Sequence, residues 1–314
     1  MGAGRTEDRL EQLRQLRSSN PSDIESVLRK ALAERSNLVV AEAAKIAKET
    51  KCRALIPDLL AALNRLFDDP GKTDPRCWGK TAILGTLTAF DYTESAPFLR
   101  AAAHVQMEPV YGGQEDTAVH LRANAKLALV QCEDLTRSEI LRHLVDALAD
   151  PSDTVRIEAV RALEQMNGEE SPLVLRLKAH SGDKRPAVMG QVFDALMVLE
   201  RHRAVPFVQQ FLNSKDAEIR DEAALSLGAS RLPAATEVLV RAWKETRSRD
   251  FGGVLLRALS SSREEAAFEF LLDLVRNGLT RDSAAALEAL ALHSDSPEIQ
   301  ARIEQARKCR LTEE

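Results

Sequence analysis

Apolar and polar residues recur along most of the chain with a helical period. Three nine-residue segments show it: Leu121–Leu129, Val155–Leu163 and Ile219–Leu227. Each opens on an aliphatic residue, continues with Arg (Arg122, Arg156, Arg220), and carries Ala at the fifth place and Leu at the ninth. Positions i, i+4 and i+8 share one stripe of a helix, so the spacing predicts a buried face with a small residue at its centre. Val188–Leu196, Phe251–Leu259 and Asp282–Leu290 fit the frame more weakly, keeping the closing Leu without the Arg, and Gly79–Leu87 fits it with Lys80 in the Arg place. The closing Leu falls at 129, 163, 196, 227, 259 and 290, a step of 31 to 34 residues. A period held over five intervals is the signature of a repeat architecture.

A second apolar-periodic run precedes each frame: Ile140–Leu148, Leu173–Lys178, Val205–Leu212, Glu237–Trp243 and Ala267–Val275. Trp243 is expected in the core. Short polar links such as Asp150–Asp153 and Asn213–Asp216 join the two runs, so each repeat reads as a helix pair. Helix starts are marked by capping-box spacings at Ser22/Glu25, Thr136/Glu139 and Ser262/Glu265, and by Ser296-Pro297-Glu298. Residues 1–21 read as an N-terminal cap helix whose Leu10, Leu13 and Leu16 face inward, 22–305 as one repeat array and 306–314 as a tail. A helix pair cannot bury its apolar stripe alone, so neighbours stack and the ends are capped. The fold class expected is all-α, an α-solenoid of about eight stacked helix-turn-helix repeats.

The segments Asp153–Leu163 and Asp216–Gly228 resemble the HEAT-repeat family, close to the bacterial HEAT-like repeats also found in phycobilisome lyases. The resemblance covers about residues 22 to 305. It implies a polar ladder between repeats, for which Asp153, Arg156, Asp216, Arg220 and Arg122 occupy the matching places. On function the scaffold is nearly silent, because one fold hosts unrelated roles.

The period lengthens in two adjacent repeats. From Ala47 to Leu87 the step is 40 residues, and from Leu87 to Leu129 it is 42. The extra length lies at equivalent places, Asp68–Arg76 and Met107–Asp116, between the two helices of a pair. Equivalent loops of a solenoid project from one edge, so the two inserts are expected to be neighbours and to mark a binding face. The candidate binding residues are Arg76, Trp78, Lys80, Tyr111 and Gln114 around the inserts, with Arg122 and Arg161 on the second helices. Aromatics and Arg are the usual anchors of interfaces.

Composition adjusts this reading in a few places. Hydrophobic residues make up 44% of the 314 and aromatics only 4%, so Leu, Ala and Val carry the core, as helix–helix packing favours. A net charge of −5 lacks the basic footprint of a nucleic-acid binder, so none is expected as partner. No apolar run reaches the roughly 18 residues of a membrane span, and neither a signal core nor a CxxC pair occurs. Reduced Cys52, Cys77, Cys132 and Cys309 and a cytoplasmic location follow as expectations. Gly71-Lys72-Thr73 and Gly79-Lys80-Thr81 mimic the end of a phosphate-binding loop, but lack the earlier Gly and a preceding strand. Asp68, Asp69, Asp74, Glu108, Glu115 and Asp116 crowd the inserts without metal-ligand spacing, and Cys77 beside Arg76 and Lys80 reads as a structural thiol. No catalytic residue, metal or cofactor is expected. The leading expectation is a non-enzymatic scaffold for a protein or peptide partner. The resemblance leaves two alternatives: chromophore attachment like that of phycobilin lyases, or DNA binding like that of HEAT-like glycosylases.

Overall fold

The computed structural model describes residues 2–15 and 21–313, with side chains placed for 6–15 and 24–310. The chain falls into two compact units, Met1–Met166 and Asn167–Glu314. The first opens with α1 (Gly2–Gln15) and continues as four helix pairs. These are α2 (Pro21–Leu32) with α3 (Asn37–Glu49), α4 (Ile56–Leu66) with α6 (Trp78–Ala89), α7 (Ala96–Ala102) with α8 (Val119–Ala128), and α9 (Arg137–Ala147) with α10 (Asp153–Met166). A short α5 (Pro70–Thr73) interrupts the second pair, and a hairpin of β1 (Met107–Val110) and β2 (Gly113–Asp116) interrupts the third.

The second unit also holds four pairs. They are α11 (Glu170–Ser181) with α12 (Pro186–Glu200), α13 (Val205–Gln209) with α14 (Ala217–Ala229), α15 (Pro233–Glu245) with α16 (Arg249–Ser262), and α17 (Glu265–Asn277) with α18 (Thr280–Leu290). The closing α19 (Pro297–Glu313) packs on α17 and extends through most of the stretch assigned to the tail. In each unit the second helices pack on one another in chain order, α3 on α6, α6 on α8, α8 on α10, then α12 on α14, α14 on α16 and α16 on α18. This is the all-α solenoid architecture that the period predicts.

The closing leucines Leu87, Leu129, Leu163, Leu196, Leu227, Leu259 and Leu290 are all fully buried, as are the central Ala125, Ala159 and Ala223. Each buried Leu contributes about 1.5–3 kcal/mol. The small residues decide how near the next helix comes. A Cβ on Gly228 would stand 2.2 Å from the carbonyl oxygen of Ala258, so α14 and α16 meet through a glycine. Thr136 and Glu139 form the expected capping box of α9, and the Asp216 carboxylate accepts from Glu218 N and Ile219 N to cap α14.

Several expectations change. Ser262 and Glu265 form no capping box: Ser262 ends α16, and its hydroxyl donates to Leu259 O while accepting from Glu264 N. Arg263 at φ 56° turns the chain there. Leu13 is buried as expected, whereas Leu16 and the Ser22 side chain lie outside the described residues. Trp243 is half-buried on the rim of a groove, edge-on to Phe270 at 5.4 Å, and is not a core residue. The second insert, read as a loop, is a β-hairpin in register Met107↔Asp116 to Val110↔Gly113, turned by Tyr111 and Gly112. Gly112 takes φ 87°, a left-handed conformation that costs glycine little.

Candidate functional site

The two inserts meet. The chain between α5 and α6 places two consecutive non-glycine residues in the left-handed region, Arg76 at φ 61° and Cys77 at φ 55°, each costing about 1–3 kcal/mol. What this turn secures is Asp74. Its fully buried carboxylate accepts from Gly79 N and Lys80 N, both at 2.8 Å, and from Asn37 Nδ2 at 2.9 Å. An acid on the first N–H groups of α6 satisfies donors that the helix itself cannot.

Gln106, just before β1, joins the second insert to the first. Its amide nitrogen donates to Asp74 O at 2.9 Å and to Glu108 Oε1. Its amide oxygen accepts from Lys80 Nζ at 2.9 Å, Cys77 Sγ at 3.2 Å and His104 Nε2 at 3.0 Å. An acceptor oxygen at that place fixes the His104 tautomer with its proton on Nε2. Glu108 Oε1 also accepts from Arg76 N at 2.7 Å and Thr117 Oγ1 at 2.8 Å. Asp116 closes the hairpin onto α8, accepting from Gln106 N and Ala118 N and pairing with Arg122 at 2.6 Å. Arg122 reaches on to His104 O at 3.0 Å and Asp150 at 3.2 Å, linking two repeats. Asp150 thus takes part in the polar links between these repeats. Arg156 donates to the carbonyls of Asp150 and Pro151.

These contacts set the protonation states. Burial lowers the pKa of His104 below the ordinary 6.5. Burial also pushes the Cys77 thiol up to about 11. Against burial, which alone would raise them, hydrogen bonds from Arg76 N, Gln106 and Thr117 hold Glu108 below its usual value, and those from Arg122, Gln106 N and Ala118 N do the same for Asp116. At neutral pH the cluster holds a neutral imidazole, a thiol and two carboxylates, each fixed in one state.

The candidate residues separate accordingly. Lys80 and Arg122 are buried and serve the fold: Lys80 is wholly enclosed, donates to Leu66 O and Gln106, and lies 3.4 Å from Asp74. Neither phosphate-loop lookalike has the geometry for phosphate, since Lys72 points outward and pairs with Asp69 at 2.8 Å. Arg161 sits exposed on α10, bound to Glu158 at 2.6 Å and apart from the inserts. Tyr111 at the hairpin tip is fully exposed, with Gln114 exposed beside it. Trp78 is 49% exposed and Arg76 pairs loosely with Glu115 at 3.5 Å.

Arg76 and Trp78 line a groove of about 750 Å3 in the first unit. Sequence reasoning missed its other wall, formed by Leu10 and Arg14 of α1 and by Leu38, Ala41, Glu42 and Lys45 of α3. The α3 residues recur at i, i+3, i+4 and i+7, a second stripe beside the core stripe that could have disclosed them. The floor is apolar, and three cations (Arg14, Lys45, Arg76) face three acids (Glu42, Glu115, Asp116). Arg14 and Glu42 stand 3.6 Å apart, while Lys45 pairs with no acid among the described residues. No helix among the described residues is long and apolar enough to cross a membrane.

Residues 175–259 match the family model of HEAT repeats, and this stretch of the chain is built of them. Among solved structures, human deoxyhypusine hydroxylase in complex with glycerol is similar at 22% identity and TM-score 0.33, over 82% of this chain and 89% of that one. The complex of CpcE and CpcF of phycocyanin lyase from Nostoc is similar at 16% identity and TM-score 0.36, over 91% and 94%. No curated protein matches the chain.

Proposed function

We propose that this HEAT-repeat scaffold takes a peptide segment of a protein partner in the groove of the first unit, without catalysing a reaction. The observation carrying the reading is that the two inserts are braced against each other by buried groups, Asp74, Lys80 and Gln106, while Trp78, Arg76 and Tyr111 remain exposed above them. A loop extension of no consequence needs no such bracing, because lengthening a surface loop costs little. Rigid exposed aromatics spare a partner the cost of ordering them.

The lining describes the partner. Its apolar floor, walled by Leu10, Leu38 and Ala82, suits an apolar side chain, and Trp78 offers a flat face at the mouth. Balanced charge at the rim suits a segment carrying both signs; it offers little to a phosphate backbone, which requires an excess of cations. Catalysis finds poor support, since the Cys77 thiol is buried and protonated and His104 is neutral and enclosed.

The test is the double variant Trp78→Ala/Tyr111→Ala, with thermal melting and partner capture measured in parallel. An unchanged melting temperature is expected, with affinity for captured partners lowered by about 2 kcal/mol or more, roughly thirtyfold. A double variant that retains all partners at wild-type levels rejects the site.

A further inference from the structure

The second unit carries another groove, of about 580 Å3, between α15, α16 and α18. Its lining bears four cations, Lys244, Arg247, Arg249 and Arg281, against one acid, Asp282. That excess stands out on a chain of net charge −5. Lys244, Arg247 and Arg249 pair with no acid among the described residues, and Arg281 meets only its neighbour Asp282 at 3.2 Å. Like charges gathered around a concave wall raise the local concentration of an anion.

Two further features restrict the ligand. Trp243 forms part of the wall, held edge-on by Phe270 at 5.4 Å, and its indole N–H has no acceptor among the described residues. The first turn of α16 opens on the same groove through Gly252 and Gly253. No heavy atom stands within 4 Å of where a Cβ of Gly253 would lie, and the nearest to a Cβ of Gly252 is Trp243 Nε1 at 3.8 Å. Gly252 N and Phe251 N already donate to Ser248 O and Ser248 Oγ, so an anion in this groove meets the fork-like donors of three arginines beside a flat ring.

We propose that this groove binds a nucleotide, with its phosphates held by Arg247, Arg249 and Arg281 and its base against Trp243. The volume lies within the range of small-ligand sites. The proposal is independent of the peptide groove, which belongs to the other unit and carries balanced charge.

Calorimetric titration of the full chain at low salt provides the test, using ATP, adenosine and inorganic pyrophosphate as probes. Saturable binding of ATP is expected, with adenosine and pyrophosphate each weaker by about tenfold or more, because each keeps only half of the contacts. The exposed double variant Arg247→Glu/Arg249→Glu should melt as the wild type does and bind ATP at least about tenfold more weakly. Three results overturn the proposal: no saturable heat with ATP up to several millimolar, equal ATP affinity in the charge-reversed variant, or binding of a short single-stranded oligonucleotide while ATP is inert. The last result assigns the groove to a nucleic-acid strand instead.

Discussion

Lys80 and Arg220 occupy the same place in the repeat frame, and their surroundings differ sharply. Lys80, in a lengthened repeat, has no exposed surface and places its ammonium among Leu66 O, Gln106 Oε1 and Asp74. Arg220, in a repeat of standard length, reaches Ser214 O at 3.4 Å, lies over the Phe251 ring at 5.3 Å, and keeps a buried Nε without an acceptor among the described residues. The repeat of Arg220 is held by its apolar stripe and by close helix approach, with that cation a minor accessory. In the lengthened repeat the cation has become the centre of a buried polar network that fixes an insert. Added loop length at this edge is accompanied by specific buried chemistry.

The largest effect should come from Lys80→Met, which leaves the Asp74 carboxylate buried without its cation. Removing one partner of a buried pair costs about 3–5 kcal/mol, measurable as a shift of the urea midpoint at constant slope. The equivalent change in the second unit, Arg220→Met, should cost about 1 kcal/mol or less, since it also removes an unsatisfied N–H. Equal costs at the two positions would break the contrast. Gly228→Ala tests the other half of it. Forcing a methyl group to within 2.2 Å of the Ala258 carbonyl should destabilise the second unit by about 1–3 kcal/mol.

Acidification sharpens the comparison further. His104 has a lowered pKa in the fold, so below pH 6.5 the unfolded chain takes up a proton that the folded one refuses, and stability falls. Glu108 and Asp116, also lowered, are expected to add to that loss below their ordinary values of 4.5 and 3.8. All three lie at the inserts, so the first unit should lose stability on acidification down to about pH 4. In the second unit Glu222 is raised, by burial first and then by the nearby Asp194 and Asp221. Its folded state gains a proton more readily, so Glu222 adds stability as the pH falls through 4.5, while Glu269, held down by Arg302 and Arg276, works the other way. Hydrogen exchange read separately in the two units checks that the second unit loses less stability than the first. The smallest effect expected is that of Tyr111→Ala on stability, within about 0.5 kcal/mol, because the ring is fully exposed.

Much of the fold was legible in the sequence. The closing leucines mark buried positions from Leu87 to Leu290 because a helical stripe is a local property, readable from spacing alone. The adjacency of the inserts was legible too, as it follows from the repeat. Gln106 was not, since it satisfies groups at Asp74, Cys77 and Lys80, 26 to 32 residues away, and a lone glutamine leaves no periodic trace. Lys80 and Arg122 were placed among surface contacts for the same reason: spacing shows which face of a helix a charge occupies but not which distant insert covers it. The hairpin was missed because four-residue strands around Gly112-Gly113 carry too little alternation to distinguish them from a loop.

The central claim is that the inserts form one braced rim and not two free loops. Hydrogen–deuterium exchange on the free protein tests it directly, by comparing the amides of Gln106, Val110 and Thr117 in the wild type and in Gln106→Leu. Slow exchange in the wild type, with protection lost at the hairpin and at the first turn of α6 in the variant, is the outcome required. Hairpin amides that exchange at the unprotected rate in the wild type, or a variant whose exchange matches it, would contradict the account.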